Sequence, residues 1–168
     1  MNNEQAQWLA EYFLRSFEQE AKTTRKVIAA APPDRMAYAP AEKCMTALDL
    51  AFHIAQSEVW LLNCVASASY EWTGGGRPDG IKTPADVVAW YDTNLAAAMD
   101  KVRNAPAEVL AREVTVFGPP AANVTYLDFA LRHSIHHRGQ LSSYLRPMGG
   151  KVPSIYGGSA DEPWQATA

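Results

Sequence analysis

Residues 131–146 have the sequence LRHSIHHRGQLSSYLR and belong to a predicted helix that spans about residues 125–146. His133 and His137 lie four positions apart. On a helix such residues project from one face, with Cβ atoms roughly 5–6 Å apart, so both imidazoles can reach one metal ion. His136 lies about 60° or more off that line and is the lesser alternative to His137.

The remaining histidine, His53, lies in the apolar segment LAFHIAQSE, residues 50–58. A polar ring among apolar neighbours lowers stability unless it has a partner. An ion shared with His133 and His137 would provide one. A histidine hydrogen-bonded within a protein core is equally compatible with this pattern, so the spacing alone leaves both interpretations open.

Three further helices are predicted upstream of this segment. The first is amphipathic and covers about residues 5–30. The second covers about residues 46–69 and is apolar on nearly all sides, which predicts a position deep in a bundle. The third begins with Thr83 as its N-cap and Pro84 at its first position, and it is interrupted at Pro106.

The connection between the last two helices contains a predicted short turn at residues 107–110 and an extended, β-branched stretch at Val114–Phe117. We interpret this connection as one long crossover and not as a sheet. Four helices with long connections and no internal repeat predict an all-α four-helix bundle. We expect one domain over residues 1–168, with a loosely held tail from about residue 159.

The composition excludes some classes of partner and location. The chain has 168 residues and a formal net charge of −3, without a cluster of Lys and Arg, which argues against a nucleic-acid partner. The first residues are polar and no apolar run is long enough to span a bilayer, so we expect no membrane partner and a cytoplasmic location. Cys44 and Cys64 have no metal-type spacing and are predicted to be buried small hydrophobic residues.

The histidine helix resembles the signature helix of the DinB/YfiT-like family. The resemblance continues through MGGKVPSIYG at residues 148–157. Residues 50–58 resemble the histidine segment of the family's second helix. The order of elements agrees over nearly the whole chain.

This resemblance implies a four-helix bundle with up-down-down-up topology, often assembled as a homodimer. It also implies one divalent transition metal, with zinc or nickel expected first, held by His53, His133 and His137. The family includes thiol-dependent transferases that use low-molecular-weight thiols, as well as hydrolases.

Three protein ligands leave at least one coordination position open, which favours catalysis over a purely structural zinc site. Metal-bound water or a metal-bound thiolate would then be the reactive group, and no catalytic side chain can be named from the sequence. The metalloprotease motif His-Glu-x-x-His is absent, because Ser134 follows His133. We therefore predict a metal-dependent hydrolase or thiol S-transferase acting on a small molecule. The alternative is a non-enzymatic metal- or ligand-binding protein of a stress response.

Residues near the ligands in sequence are candidates for orienting them. A ligating histidine usually donates its second ring N–H to an acceptor. Asp49, Gln56 and Gln140 lie at helical spacing from the ligands, although each can equally be a cap or a solvated side chain. For Arg138 we favour a structural ion pair over a substrate contact.

Overall fold

The computed structural model describes residues 1–72 and 75–164, and within these ranges the chain is mainly α-helical. Four long helices and one short helix occur there, together with a two-stranded antiparallel ladder. Their bounds are α1 (Asn3–Ala29), α2 (Ala47–Ser67), α3 (Pro84–Arg103), α4 (Ala107–Ala111), β1 (Glu113–Val114), β2 (Ala121–Ala122) and α5 (Tyr126–Leu145). Short 3-10 turns at Pro33–Arg35 and Asn123–Thr125 precede α2 and α5.

Local capping fixes where two of the long helices begin. The Asn2 side chain accepts a hydrogen bond from the Gln5 backbone N–H, and the Gln5 side chain accepts one from the Asn2 N–H. Thr83 and Asp86 form the same reciprocal capping box at the start of α3, with Pro84 at the first helical position. Each box provides partners for backbone donors that a helix start leaves free. The predicted beginning of the third helix is confirmed.

Contacts along α2 and α3 show that these helices run parallel. The ring centroids of Phe52 and Trp90, early in each helix, are 5.1 Å apart. Near the other end, Lys101 Nζ donates to Asn63 Oδ1 at 2.8 Å. Because parallel neighbours cannot be joined by a tight turn, the long connection after α2 is a requirement of the topology.

The other two long helices run the opposite way. In α1 and α3, Arg25 pairs with Asp92 and Glu18 pairs with Arg103, which is an antiparallel order. The α2–α5 contacts are also antiparallel. His53, early in α2, contacts His137 in the second half of α5, and Val65, late in α2, accepts from Asn123 in the turn just before α5. The up-down-down-up four-helix bundle is therefore confirmed.

Helix α2 lies deepest in the bundle, packed against α3 and α5. Most of its large apolar side chains are buried, including Leu50, Ile54, Leu61 and Leu62. This agrees with the prediction from its all-round apolar sequence. Among the described residues, no helix has a stretch long and apolar enough to cross a membrane.

A polar network runs through this core. Glu58 is 1% exposed; Tyr91 Oη donates to its Oε1 at 2.9 Å and Ser134 Oγ donates to its Oε2 at 2.6 Å. Arg138 is also 1% exposed and pairs with Glu20 at 2.6 Å. Together these two sets of bonds join α1, α2, α3 and α5, and both buried ionisable groups have hydrogen-bond partners.

The crossover contains a small β-hairpin, so the interpretation without a sheet is wrong at this point. Glu113 pairs with Ala122 and Val114 with Ala121. The Gly118-Pro119-Pro120 sequence between the strands turns the chain back, which brings the two extended pieces into register. Asn123 N–H then donates to Arg112 O at 2.7 Å and extends the pairing by one bond.

The described part of the tail predicted from about residue 159 makes specific contacts with the rest of the chain. Glu162 pairs with Lys26 of α1 at 2.5 Å and accepts a hydrogen bond from the Ser154 N–H. Asp161 accepts bonds from the Val152 N–H and from Arg146. Two carboxylates thus tie this turn to α1 and to the residues after α5. Residues 165–168 of the predicted tail lie outside the described residues.

The two cysteines differ in environment. Cys64 is buried in α2, as predicted, and burial raises the pKa of its thiol to about 11. Cys44 is exposed, contrary to the prediction, because it lies in a turn before α2 in which its N–H donates to Ala41 O.

Burial of Glu58 predicts a pH dependence of stability. Desolvation raises its pKa from 4.5 to about 7, and the bonds from Ser134 and Tyr91 only partly offset this. The unfolded chain therefore loses this proton at lower pH than the folded chain does. We expect the Glu58 contribution to be fully present below pH 4.5 and lost as the pH rises to about 7. The loss should be on the order of 3 kcal/mol at most.

Glu58→Gln should remove this loss. Urea unfolding of metal-free protein at about pH 5 and pH 8 measures it, with the exposed Glu11→Gln as the matched control. Wild type and Glu11→Gln should lose more stability over this interval than Glu58→Gln. Equal losses in all three proteins would contradict the prediction.

Candidate metal centre

Three histidine side chains from two helices meet at one place. His53 extends from α2, and His133 and His137 extend from α5. Their ring centroids are 5.2 Å apart for His53–His133, 4.5 Å for His53–His137 and 4.4 Å for His133–His137. One ring nitrogen from each lies within 4.8 Å of the other two.

The local sequence and the packing of α2 on α5 each produce part of this arrangement. His133 and His137 stack on one face of α5 because they are one helical turn apart. His53 reaches them because the antiparallel contact of α2 with α5 places it opposite that turn. The structure therefore brings together all three predicted ligands, and metal binding by them stays a prediction.

Burial disfavours the protonated form of these imidazoles. The pKa of each of the three rings is lowered, chiefly because partial burial disfavours the charged form. The pKa of His133 falls to about 4, with further lowering by the neighbouring rings of His137, His53 and His136. A metal ligand must be the neutral imidazole, so this electrostatic environment suits ligation.

Hydrogen bonds at the Nδ1 atoms define which nitrogen remains available on α5. His137 Nδ1 lies 2.7 Å from Gln140 Oε1, which can only accept, so Nδ1 carries the proton. His133 Nδ1 lies 3.3 Å from Ser57 Oγ, and that hydroxyl donates to His53 O at 2.6 Å. The Ser57 oxygen therefore accepts from His133 Nδ1–H. In both rings the Nε2 lone pair remains free for an ion.

Of the residues predicted to orient the ligands, Gln140 makes such a contact and the other two do not. Asp49 bonds to Thr46 at the helix start and to Arg77 of the following loop. Gln56 donates to Gly75 O at 3.0 Å. Asp49 thus takes the capping alternative that its position after Thr46 allows, and Gln56 contacts a loop carbonyl instead of a histidine ring.

Ser57 was not among the sequence candidates. It follows His53 by four residues and so lies on the same face of α2. That spacing indicates that Ser57 can lie beside the histidine cluster. It predicts a bond to His133 only when the antiparallel packing of α5 on α2 is known.

The neighbours of the ligands on α5 have other environments. His136 is exposed, and although its ring centroid is 4.9 Å from that of His137, it is outside the three-histidine group. Arg138 is buried and bonds to Glu20, Thr24 Oγ1 and Tyr156 Oη, in keeping with a structural ion pair.

The geometry and the donor set fit a divalent transition metal. Two nitrogens bound at about 2.1 Å in a tetrahedral site are roughly 3.4 Å apart, so small ring rotations would bring these atoms onto a common ion. Imidazole donors suit zinc, nickel, copper and iron.

Comparison with known protein families identifies the chain. The family profile described as "DinB family" matches residues 1–166. The chain belongs to the DinB family. The match spans all the long helices and both histidine segments, so the resemblance seen in those segments is confirmed.

Two curated relatives come from Bacillus subtilis strain 168. The uncharacterized protein YrdA is 23% identical to this DinB-family chain over 154 residues, covering 90% of each. The uncharacterized protein YjoA is 29% identical over 120 residues, covering 69% of this chain and 75% of YjoA. Because both relatives are described as uncharacterized, they indicate a shared family and give no information on activity.

Solved DinB-like structures share the fold. The crystal structure of YjoA from Bacillus subtilis superposes with a TM-score of 0.70 at 24% identity, covering 86% of this chain and 96% of YjoA. A DinB-like protein from Bacillus cereus gives 0.72 at 22% identity, covering 87% and 97%. At this identity the likeness supports the bundle, and the site has to be judged on its own geometry.

Removing either Nδ1 acceptor should weaken metal binding. Ser57→Ala and Gln140→Leu each leave a ring N–H without its partner, and such changes typically reduce metal affinity 10–100-fold. Competition with a chromophoric chelator for Zn²⁺ measures the affinity. Gln140→Glu, which keeps an acceptor oxygen, should retain most of it.

Gln56→Leu is the matched control, because Gln56 lies near the site and bonds to a loop carbonyl instead of a ligand. Its affinity should equal that of the wild type. Unchanged affinity in Ser57→Ala and Gln140→Leu, or an equal loss in Gln56→Leu, would exclude the assigned roles.

Proposed function

We propose that this DinB-family chain is a metal-dependent enzyme that holds one divalent transition ion on His53, His133 and His137 and acts on a small molecule. The proposed reaction is hydrolysis or transfer to a low-molecular-weight thiol. One observation carries the proposal: three half-buried rings from two helices present nitrogens within 4.8 Å of one another.

The donor set supports a reactive site over a closed structural one. Three protein ligands leave a coordination position for a further molecule. All three donors are neutral, so the ligands do not reduce the charge of the ion, and an anionic partner would be favoured at the open position. A bound divalent ion supplies Lewis acidity there, which lowers the pKa of a coordinated water or thiol.

The protein's own groups have defined tasks in this scheme. Ser57 and Gln140 hold the Nδ1 protons of His133 and His137 and so orient both rings. Ser134, next to His133, is bonded to the buried Glu58 and fixes that turn of α5 against α2. These contacts place the Nε2 atoms before any ion binds, which reduces the ordering needed for ligation.

Ser134 occupies the position after His133 where the metalloprotease motif has its general-base glutamate, so peptide hydrolysis by that mechanism fits poorly. The second candidate is a non-enzymatic protein that binds a metal or ligand in a stress response, a role that the three-histidine group alone would also serve. The identity of the ion, with zinc or nickel first, is part of the proposal.

The homodimer implied by the family resemblance, the small-molecule partner and the cytoplasmic location also stay predictions. Light scattering of the purified chain tests the first of these. A single species at the monomer mass over the micromolar range would exclude the homodimer.

The ligand set can be tested by metal content. Protein purified without a histidine tag should contain about one ion per chain, and His53→Ala, His133→Ala and His137→Ala should each lose most of it, because two imidazoles rarely hold an ion firmly. His136→Ala is the matched control, since this exposed residue neighbours the site and lies outside the group. Equal metal content in all five proteins would refute the site.

Activity separates the two candidate functions. The loaded protein is screened for conjugation of bacterial thiols to electrophiles and for ester and amide hydrolysis, with and without chelator. The enzyme is supported if turnover is abolished by chelator, is restored by added metal and is absent in His53→Ala. Metal binding without any such turnover would favour the binding protein.

A further inference from the structure

Two exposed phenylalanine rings lie beside the histidine cluster. Phe117 is 53% exposed and Phe129 is 36% exposed. Their rings stack with centroids 4.7 Å apart and an interplanar angle of 24°. The Phe129 centroid is 6.1 Å from that of His133. We call these two rings the aromatic shelf.

The backbone holds the shelf in place from two directions. Phe129 precedes His133 by four residues, so it lies on the same face of α5, one turn earlier. Phe117 lies on the hairpin between β1 and β2. The hairpin is attached to α5 because Val116 N–H donates to Tyr126 Oη at 3.3 Å and the Tyr126 ring lies 5.9 Å from Phe117.

The position of the shelf is what makes it informative. Single exposed apolar side chains are common on soluble proteins and require no explanation. Here two stacked rings, donated by elements distant in sequence, adjoin a polar cluster that can hold an ion. Small-molecule sites typically combine such apolar walls with a few convergent polar groups.

We propose that the aromatic shelf binds the ring of the substrate while its polar end lies at the three histidines. This inference rests on the proposed function and adds a substrate class to it. The class is small molecules that carry an aromatic or similarly apolar ring close to a group that coordinates metals. Burying such a ring against Phe117 and Phe129 removes apolar surface of both partners from water.

Two hydroxamic acids test the shelf without knowledge of the substrate. Acetohydroxamate and benzohydroxamate share one metal-coordinating group, and only the second carries a ring. Their dissociation constants are measured on zinc-loaded protein by calorimetry. The ratio of the two constants reports what the ring contributes, and it is independent of any turnover.

In the wild type, benzohydroxamate should bind about tenfold more tightly than acetohydroxamate, equivalent to about 1.4 kcal/mol. The double variant Phe117→Ala/Phe129→Ala should bring the ratio close to one, with acetohydroxamate affinity unchanged. Phe117→Ala alone and Phe129→Leu should give intermediate ratios, and they are the readout if the double variant does not fold.

Trp8→Ala is the matched control. Trp8 is 64% exposed on α1, where its ring stacks on Tyr12. Its removal should leave the ratio at the wild-type value. A ratio near one in the wild type, an unchanged ratio in the shelf variants, or an equal fall in Trp8→Ala would overturn the proposal.

The controls separate this inference from the function on which it rests. If the wild type binds neither zinc nor acetohydroxamate, the proposed function fails and the shelf proposal fails with it. If both bind and the ring has no effect, only the shelf proposal fails. A change of oligomeric state in Phe117→Ala would instead assign the shelf to contact between copies of the chain.

Discussion

Two hydrogen bonds across the α2–α5 interface determine how the histidine cluster is assembled. Ser134 donates to Glu58 at 2.6 Å, and next to it His133 contacts Ser57 at 3.3 Å. In each helix the two residues involved are consecutive, so one points into the core and the other toward the cluster. A slip of one residue along α5 is about 1.5 Å of rise and 100° of rotation, which would break both bonds together. The same two hydrogen bonds therefore fix both the register of the two helices and the position of the imidazole rings.

The same alternation continues one turn later and extends the support to α1. His137 belongs to the cluster, while the next residue, Arg138, is buried and pairs with Glu20 at 2.6 Å. Leaving the buried Arg138 charge unpaired would be strongly unfavourable, so α1 has to stay where the Glu20 carboxylate meets the arginine. Tyr156, beyond the end of α5, bonds to both groups. Helix α1, which contributes no histidine to the cluster, thus helps to hold the cluster in place.

The chemistry of the site follows from its surroundings more than from the fold. DinB-like structures share the bundle at 22–24% identity, and that likeness carries no activity with it. What supports the proposed reactive ion here is local: imidazoles with lowered pKa values, Nδ1 protons with defined acceptors, and an apolar shelf beside His133. Together they would offer the proposed substrate one polar and one apolar point of attachment.

The sequence by itself determined the long helices and the pairing of His133 with His137, because caps, prolines and the i, i+4 spacing act over a few residues. The family resemblance added the topology and His53. Only the tertiary structure decided that Ser57 accepts from His133 Nδ1 and that Asp49 accepts from Arg77 of the following loop. It also formed the hairpin that brings Phe117 to Phe129. Such contacts depend on the direction and rotation of elements distant in sequence, which no local pattern encodes.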